Sequence, residues 1–285
     1  MMAAATAHAA PVPQAPPLTP INADTSLLVI APHPDDETLC CAGLIQRVVR
    51  AGGRASVVWI TSGDASELDL LLIEKSPLMS PAKARDLAAR RMREARAAAD
   101  ALGVPSARQL FLGYPDRGVL TLLGEHYRRA YRSPFTAADA VPYAAAVFPG
   151  HPYTGESLER DFAVVLARVR PTLLLAPSPS DAHPDHRAAG LLTQRVLAAS
   201  AAPPVVRYWI VHGGEGWPNP RGLSPGLPLT PAPRDAGAVW TVFALMPTEE
   251  DRKLAALRLY ATQLETLEPF LLAFVRTTEL YTPGP

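Results

Sequence analysis

Short runs of apolar residues with no polar residue between them most constrain what this chain can fold into. Ser26 to Ala31 (SLLVIA), Ala55 to Thr61 (ASVVWIT) and Thr172 to Ala176 (TLLLA) are too short for buried helices. They also lack the in–out alternation of a strand with one wet face. Such runs suit strands covered on both sides, as in a parallel sheet. Helical segments separate them. Thr38 to Ala51 reads as a helix ending at Gly52-Gly53, and Pro81 to Leu102 as a long Ala/Arg-rich helix with Pro in its first turn and Gly103 just past its end. Further strands are expected at 109–112, 205–211 and 239–245, with helices at 156–169, 186–199 and 248–266. Alternating strands and helices make βαβ units with right-handed crossovers. The expected class is therefore α/β: a Rossmann-like three-layer fold with a mainly parallel sheet and loop insertions at the C-terminal strand edge. The insertions are 118–155 and the Pro/Gly-rich 213–237. Residues 26–285 read as one domain, behind an Ala/Pro-rich disordered leader over residues 1–25.

Charge excludes some partners. Lys plus Arg equals Asp plus Glu, 27 against 27, so no overall basic field argues for nucleic acid or an anionic membrane surface. The local Arg clusters at 89–96 and 127–132 read as solvated surface. No apolar run approaches the about 18 to 20 residues of a transmembrane helix. Met1 to Pro20 has no Lys or Arg and is interrupted by Pro11, Pro13, Pro16 and Pro17. That favours an untargeted, cytoplasmic chain over a cleaved secretory signal, although an atypical export signal stays open. Cys40 and Cys41 are the only cysteines. Neighbouring helical residues point in different directions, so no disulfide is expected between them, and they read as packing residues. Oligomeric state is not legible.

Chemistry concentrates where two apolar strands end. The first runs into Pro32-His33-Pro34-Asp35-Asp36-Glu37, and the fourth into Ser180-Asp181-Ala182-His183-Pro184-Asp185-His186. In open α/β sheets, sites lie beyond the C-terminal strand ends. If the two strands are neighbours, the clusters converge. His33 and Asp36 are three apart at a helix start and can face one side. His183 and His186 share that spacing; one of the two would complete a His2Asp set, leaving the other free for chemistry. Three N/O ligands with a fourth position for water describe a catalytic zinc site, and the absence of Cys excludes a structural thiolate site. Alternatively, an isolated Asp35 or Asp36 could be only a helix cap. Asp185 could orient a histidine through its second ring nitrogen or cap a helix. Glu37 suits the positive end of a helix. His212 either lines a rim or caps a strand end.

PHPDDE after the first strand and HPDH after a later one resemble the LmbE-like or PIG-L deacetylases, a family that includes deacetylases of N-acetylglucosaminyl-phosphatidylinositol, of the mycothiol and bacillithiol pathways, and of chito-oligosaccharides. Thr61-Ser62-Gly63-Asp64, Arg91-Met92-Arg93-Glu94, Gly113-Tyr114-Pro115-Asp116 and Tyr260-Ala261-Thr262-Gln263 extend the resemblance from Ser26 to the C-terminus. The stretches 118–155 and 213–237 do not match the compact members. The resemblance implies one zinc ion, or another divalent metal, on His33, Asp36 and His186. It implies Asp35 as general base and His183 as the electrophilic or acid partner, drawn as an imidazolium. Arg91 and Asp116 would contact a sugar; otherwise Arg91 is a surface salt-bridge partner and Asp116 a turn former. The implied reaction is hydrolysis of an N-acyl amide, an N-acetyl group above all, on an amino-sugar-containing small molecule or glycan. The alternatives are an amidase of long-chain or thiol-conjugate substrates and a non-catalytic sugar-binding relative.

Overall fold

The computed structural model describes residues 18–65 and 80–284. Five of the apolar runs form one parallel sheet: β1 (Ser26–Ala31), β2 (Arg54–Thr61), β3 (Gln109–Tyr114), β4 (Leu173–Pro177) and β5 (Val205–Trp209), in the order β3-β2-β1-β4-β5. Every residue of β1, β3 and β4 is buried, as uniformly apolar runs require when helices cover both faces. The sheet is flanked by α1 (Asp36–Arg50), α2 (Pro81–Ala101), α4 (Gly155–Val169) and α5 (Pro184–Leu197), with a four-residue α3 (Val119–Leu122) inside the first insertion. The α/β reading of the sequence therefore holds. The decisive pairing is β1 with β4, in register Leu27↔Leu173 to Val29↔Leu175. It sets the loops after the two strands side by side.

Three expectations change. The strand expected at 239–245 is the shorter β6 (Thr241–Ala244), and it does not join the parallel sheet. It pairs antiparallel with an unforeseen β7 (Thr278–Tyr281). Its alternating burial is that of a strand with one wet face, which the run TVFA encodes. The single helix expected at 248–266 is two, α6 (Pro247–Leu257) and α7 (Ala261–Leu271). The break lets Tyr260 turn inward, where its hydroxyl donates to Glu37 Oε1. α7 is itself kinked at Leu267 (φ −125°), two residues before Pro269, which has no N–H to give the helix. The third change is in α1, where Cys40 and Cys41 are joined by a disulfide across Cα atoms 3.7 Å apart.

Of the expected leader, residues 1–17 lie outside the described residues. Leu18 and Ile21 pack against the core, and Thr25 closes a turn on Asn22. Among the described residues, no helix is long and apolar enough to cross a membrane.

Candidate active site

The first motif turns sharply as it leaves β1. Pro32 is pinned by Thr61 of β2, whose N–H and Oγ1 both donate to its carbonyl (3.0 and 2.9 Å). Asp35 has φ 122°, a backbone state that costs a non-glycine residue about 1–3 kcal/mol and is held only where the surroundings over-determine it. The consequence is that consecutive carboxylates part company. Asp36 Oδ2 accepts the His33 N–H (2.8 Å) and faces the second motif, while Asp35 Oδ2 lies 3.7 Å from the Arg91 guanidinium of α2.

Three donor atoms meet in a near-equilateral triangle. His33 Nδ1 is 3.4 Å from Asp36 Oδ2, His186 Nε2 is 3.3 Å from the same oxygen, and the two nitrogens are 3.3 Å apart. Ligands about 2.0–2.1 Å from a tetrahedral ion stand about 3.3–3.4 Å from one another, so the donor set fits a divalent cation such as zinc. Other His/Asp groupings overlap this one: His33, His183 and His186; Asp181, His186 and His212; His33, Asp116 and Asp185, each with ligand atoms within 4.8 Å. The Asp36 triangle is tighter than that limit. The last two groupings use the outward nitrogens of His186 and His33, which have carboxylate partners of their own.

Those partners hold the rings from behind. His186 Nδ1 is 3.2 Å from Asp181 Oδ2, which also accepts the Val211 and His212 N–H groups (2.9 and 3.0 Å). His33 Nε2 faces two carboxylates, Asp116 Oδ1 at 3.3 Å and Asp185 Oδ2 at 3.4 Å. Carboxylate support at the far nitrogen fixes tautomer and ring direction in metal-binding histidines. Burial opposes charge on both rings, yet Asp36 and Asp181 lift His186 to about 9, and Asp116, Asp185 and Asp36 raise His33 well above the usual range. Asp36 is held well below the ordinary carboxylate range by His186 and His33 despite its burial. A cation bound there would compete with protons for these atoms.

Asp35 is pushed the other way. Burial and the neighbouring Asp36 raise its carboxyl well above the ordinary range, against the pull of Arg91. His183 sits edge-on to His33, ring centres 4.7 Å apart. Its burial, and after that the positive charge on His33 and His186, lower it to about 2. Its Nδ1 accepts the Asp185 N–H at 3.2 Å, which leaves Nε2 to carry the proton. The lowering opposes the imidazolium expected of this ring, and burial is its first cause. The same contact makes His183, not Asp185, the side chain that caps α5.

Arg91 is 5% exposed, which removes the surface salt-bridge reading. It donates to the Gly63 and Pro34 carbonyls (3.1 and 3.2 Å) and, with Gln263 oriented to accept, to that side chain as well. Glycine at 63 is required: φ is +70°, and a Cβ would fall 2.5 Å from the guanidinium. Asp116 is more than a turn former. Its Oδ2 accepts the Ala65 N–H at 3.1 Å, and it is held below the usual range by His33 against its burial. Glu37 is not a surface partner for the helix end but fully buried, accepting from Trp59 Nε1 (2.9 Å), Thr38 and Tyr260.

A cavity of about 130 Å³ opens onto His33, Asp35, Asp36, Arg91, Asp116, His183 and His212, walled by Leu39, Leu267, Phe270 and Leu271. No residue of 118–155 or 213–237 lines it; those segments reach it through intermediates, Arg221 stacking 4.8 Å over Phe270 for example. A larger apolar groove of about 790 Å³, between α4 and α5, contains none of these side chains. Sequence reading missed Asp181, although it lies within the second motif, and the α7 wall, whose Leu and Phe residues look like any helix core.

Comparison with known proteins agrees with this picture. The family profile described as PIG-L, GlcNAc-PI de-N-acetylase, matches residues 28–197, more than half the chain. A 1D-myo-inositol 2-acetamido-2-deoxy-alpha-D-glucopyranoside deacetylase of Kribbella flavida is 26% identical over 280 residues, covering 87% of this chain and 86% of its own. The N,N'-diacetylchitobiose deacetylase of Pyrococcus horikoshii superposes with a TM-score of 0.53 at 20% identity, over 86% of this chain and 74% of that one. The 4-carboxy-2-hydroxymuconate hydratase GalB of Pseudomonas putida does so with 0.56 at 20% identity, over 90% and 94%. At such identities the structures speak for the fold alone, and the hydratase shows that this fold carries other reactions too.

Proposed function

Because the chain belongs to the PIG-L family of GlcNAc-PI de-N-acetylases, we propose that it is a metal-dependent amidohydrolase that removes the acetyl group from an N-acetylated amino sugar, with zinc as the ion. The observation that carries the reading is the triangle of Asp36, His33 and His186 beside a carboxylate, Asp35, that belongs to the same turn but not to the triangle. A divalent cation bound there would acidify a water and polarise the amide carbonyl.

This chain's own residues supply the rest. Asp35 takes the proton of the attacking water at its carboxylate and returns it to the departing amine, and burial makes it a stronger base than an ordinary aspartate. Arg91 holds the Asp35 turn through the Pro34 carbonyl. His183 donates from Nε2 to the oxygen that gains charge as the carbonyl becomes tetrahedral. Arg91 and Asp116 border the cavity and suit the hydroxyl groups of a sugar. The cavity of about 130 Å³ has room for an acetyl group and the adjoining ring edge.

The test is a panel of N-acetyl amino sugars and their longer-chain N-acyl counterparts, scored for free amine with chelator-treated and zinc-loaded protein. Amine should appear with zinc, and the acetyl compounds should be preferred. Equal turnover without metal, or none on any compound, would overturn the reading.

A further inference from the structure

The 118–155 insertion adds nothing to the cavity wall, yet it is bonded to the site from behind. Its 139–153 stretch packs on the free edge of the sheet, where Val147 N–H donates to the Phe111 carbonyl of β3 (2.8 Å). It closes over Gly113, whose φ is +74° and where a Cβ would meet Val141, Tyr143 and Ala146 at 3.0–3.4 Å. From this clamp Tyr143 reaches inward. Its hydroxyl donates to Asp64 Oδ2 at 2.6 Å. Asp64 is fully buried, and its other oxygen accepts the Asp116 N–H at 3.1 Å. Asp116 in turn meets His33 Nε2 at 3.3 Å.

We propose that Tyr143 is a positioning residue for the hydrolytic site, holding Asp64 and thereby the Asp116 carboxylate against the back of His33. The proposal rests on the amidohydrolase reading above only for its kinetic consequence. Two donors from different elements satisfy the Asp64 carboxylate, and burial lifts its carboxyl to about 7. Removing the Tyr143 hydroxyl would leave one oxygen without that donor and free Asp64 to turn. The Asp116 backbone would then lose its anchor, and His33 would lose the fixed direction of one of its two supports. The residue so acts on how well the site holds an ion and on the chemical step, not on how it grips a substrate.

The experiment compares Tyr143→Phe with Tyr153→Phe. Tyr153 lies in the same insertion, is as well buried, and donates to the Gly113 carbonyl (3.1 Å). Zinc affinity, measured by competition with a chromogenic chelator and no substrate present, should fall about tenfold in Tyr143→Phe, the low end for an outer-shell partner. It should be unchanged in Tyr153→Phe. kcat on the best acetylated sugar should fall to a similar degree with KM unaltered. Adding Tyr143→Phe to Asp64→Asn should cost nothing more, since both act on one path. Wild-type zinc affinity in Tyr143→Phe, an equal loss in Tyr153→Phe, or a rise in KM alone would overturn the proposal. If the wild-type protein binds zinc yet releases no amine, the amidohydrolase reading fails while the zinc comparison still decides the role of Tyr143.

Discussion

The two motif loops look alike in sequence, His-Pro-Asp in each, but they are built on opposite plans. The second orients its own ring. Asp181, five residues before His186, orients that ring while also taking the N–H groups of His183, Val211 and His212. The first depends on distant chain. His33 is backed by Asp116 and Asp185, 83 and 152 residues away, and the turn is pinned by Thr61 and Arg91. Its backbone is strained at Asp35, and the second loop has no positive φ. A loop that supports itself can be placed by the strand that carries it. A loop supported from afar forms only once several elements have assembled, and here it turns adjacent carboxylates in different directions.

The sharpest way to break this comparison is to remove each ring. His33→Ala and His186→Ala should both lose the ion and all turnover, read by elemental analysis beside amine release. Full metal content in either variant would eliminate that ring as a ligand.

Next in size is the division of labour within the first loop. Asp35→Asn should keep the ion and lose about 100-fold in kcat, the scale of a lost general base. Asp36→Asn should lose the ion and partly recover with excess zinc. Metal content and kcat for the pair decide this; the reverse pattern would exchange the two roles.

The smallest effect separates the supports. Asp181→Asn should weaken zinc binding toward the upper part of the about 10- to 100-fold range of outer-shell partners, because His186 leans on that carboxylate alone. Asp185→Asn should stay near the lower end, because Asp116 still faces His33 Nε2. Chelator competition on the two variants measures the difference, and equal losses would mean that the two loops are not supported differently.

Much of this was legible beforehand for a local reason. Uniform burial of a strand needs a uniformly apolar run, so β1, β2 and β4 could be read directly. Two donor side chains three residues apart at a helix start need only that helix to face one way, so His33 with Asp36 stood out as well. β6 and β7 were harder. Each is four residues long and is stabilised by the other across 33 intervening positions, a pairing no local pattern announces. The break between α6 and α7 was hidden because its cause, Tyr260 bonding to Glu37, lies on another helix.

The sequence by itself determined the class of sheet, the two loops where His and Asp side chains gather and the kinds of atom they offer, because each follows from residue type and short spacing. Only the tertiary structure decided which atoms meet. The β1–β4 pairing brought His186 to His33 and Asp36 and set the His183 ring edge-on to His33. The first insertion was tied to the site from behind, Tyr143 reaching Asp64 across 79 residues. Such contacts depend on distances of a few ångströms between elements far apart in the chain, and spacing along a chain carries no information about those.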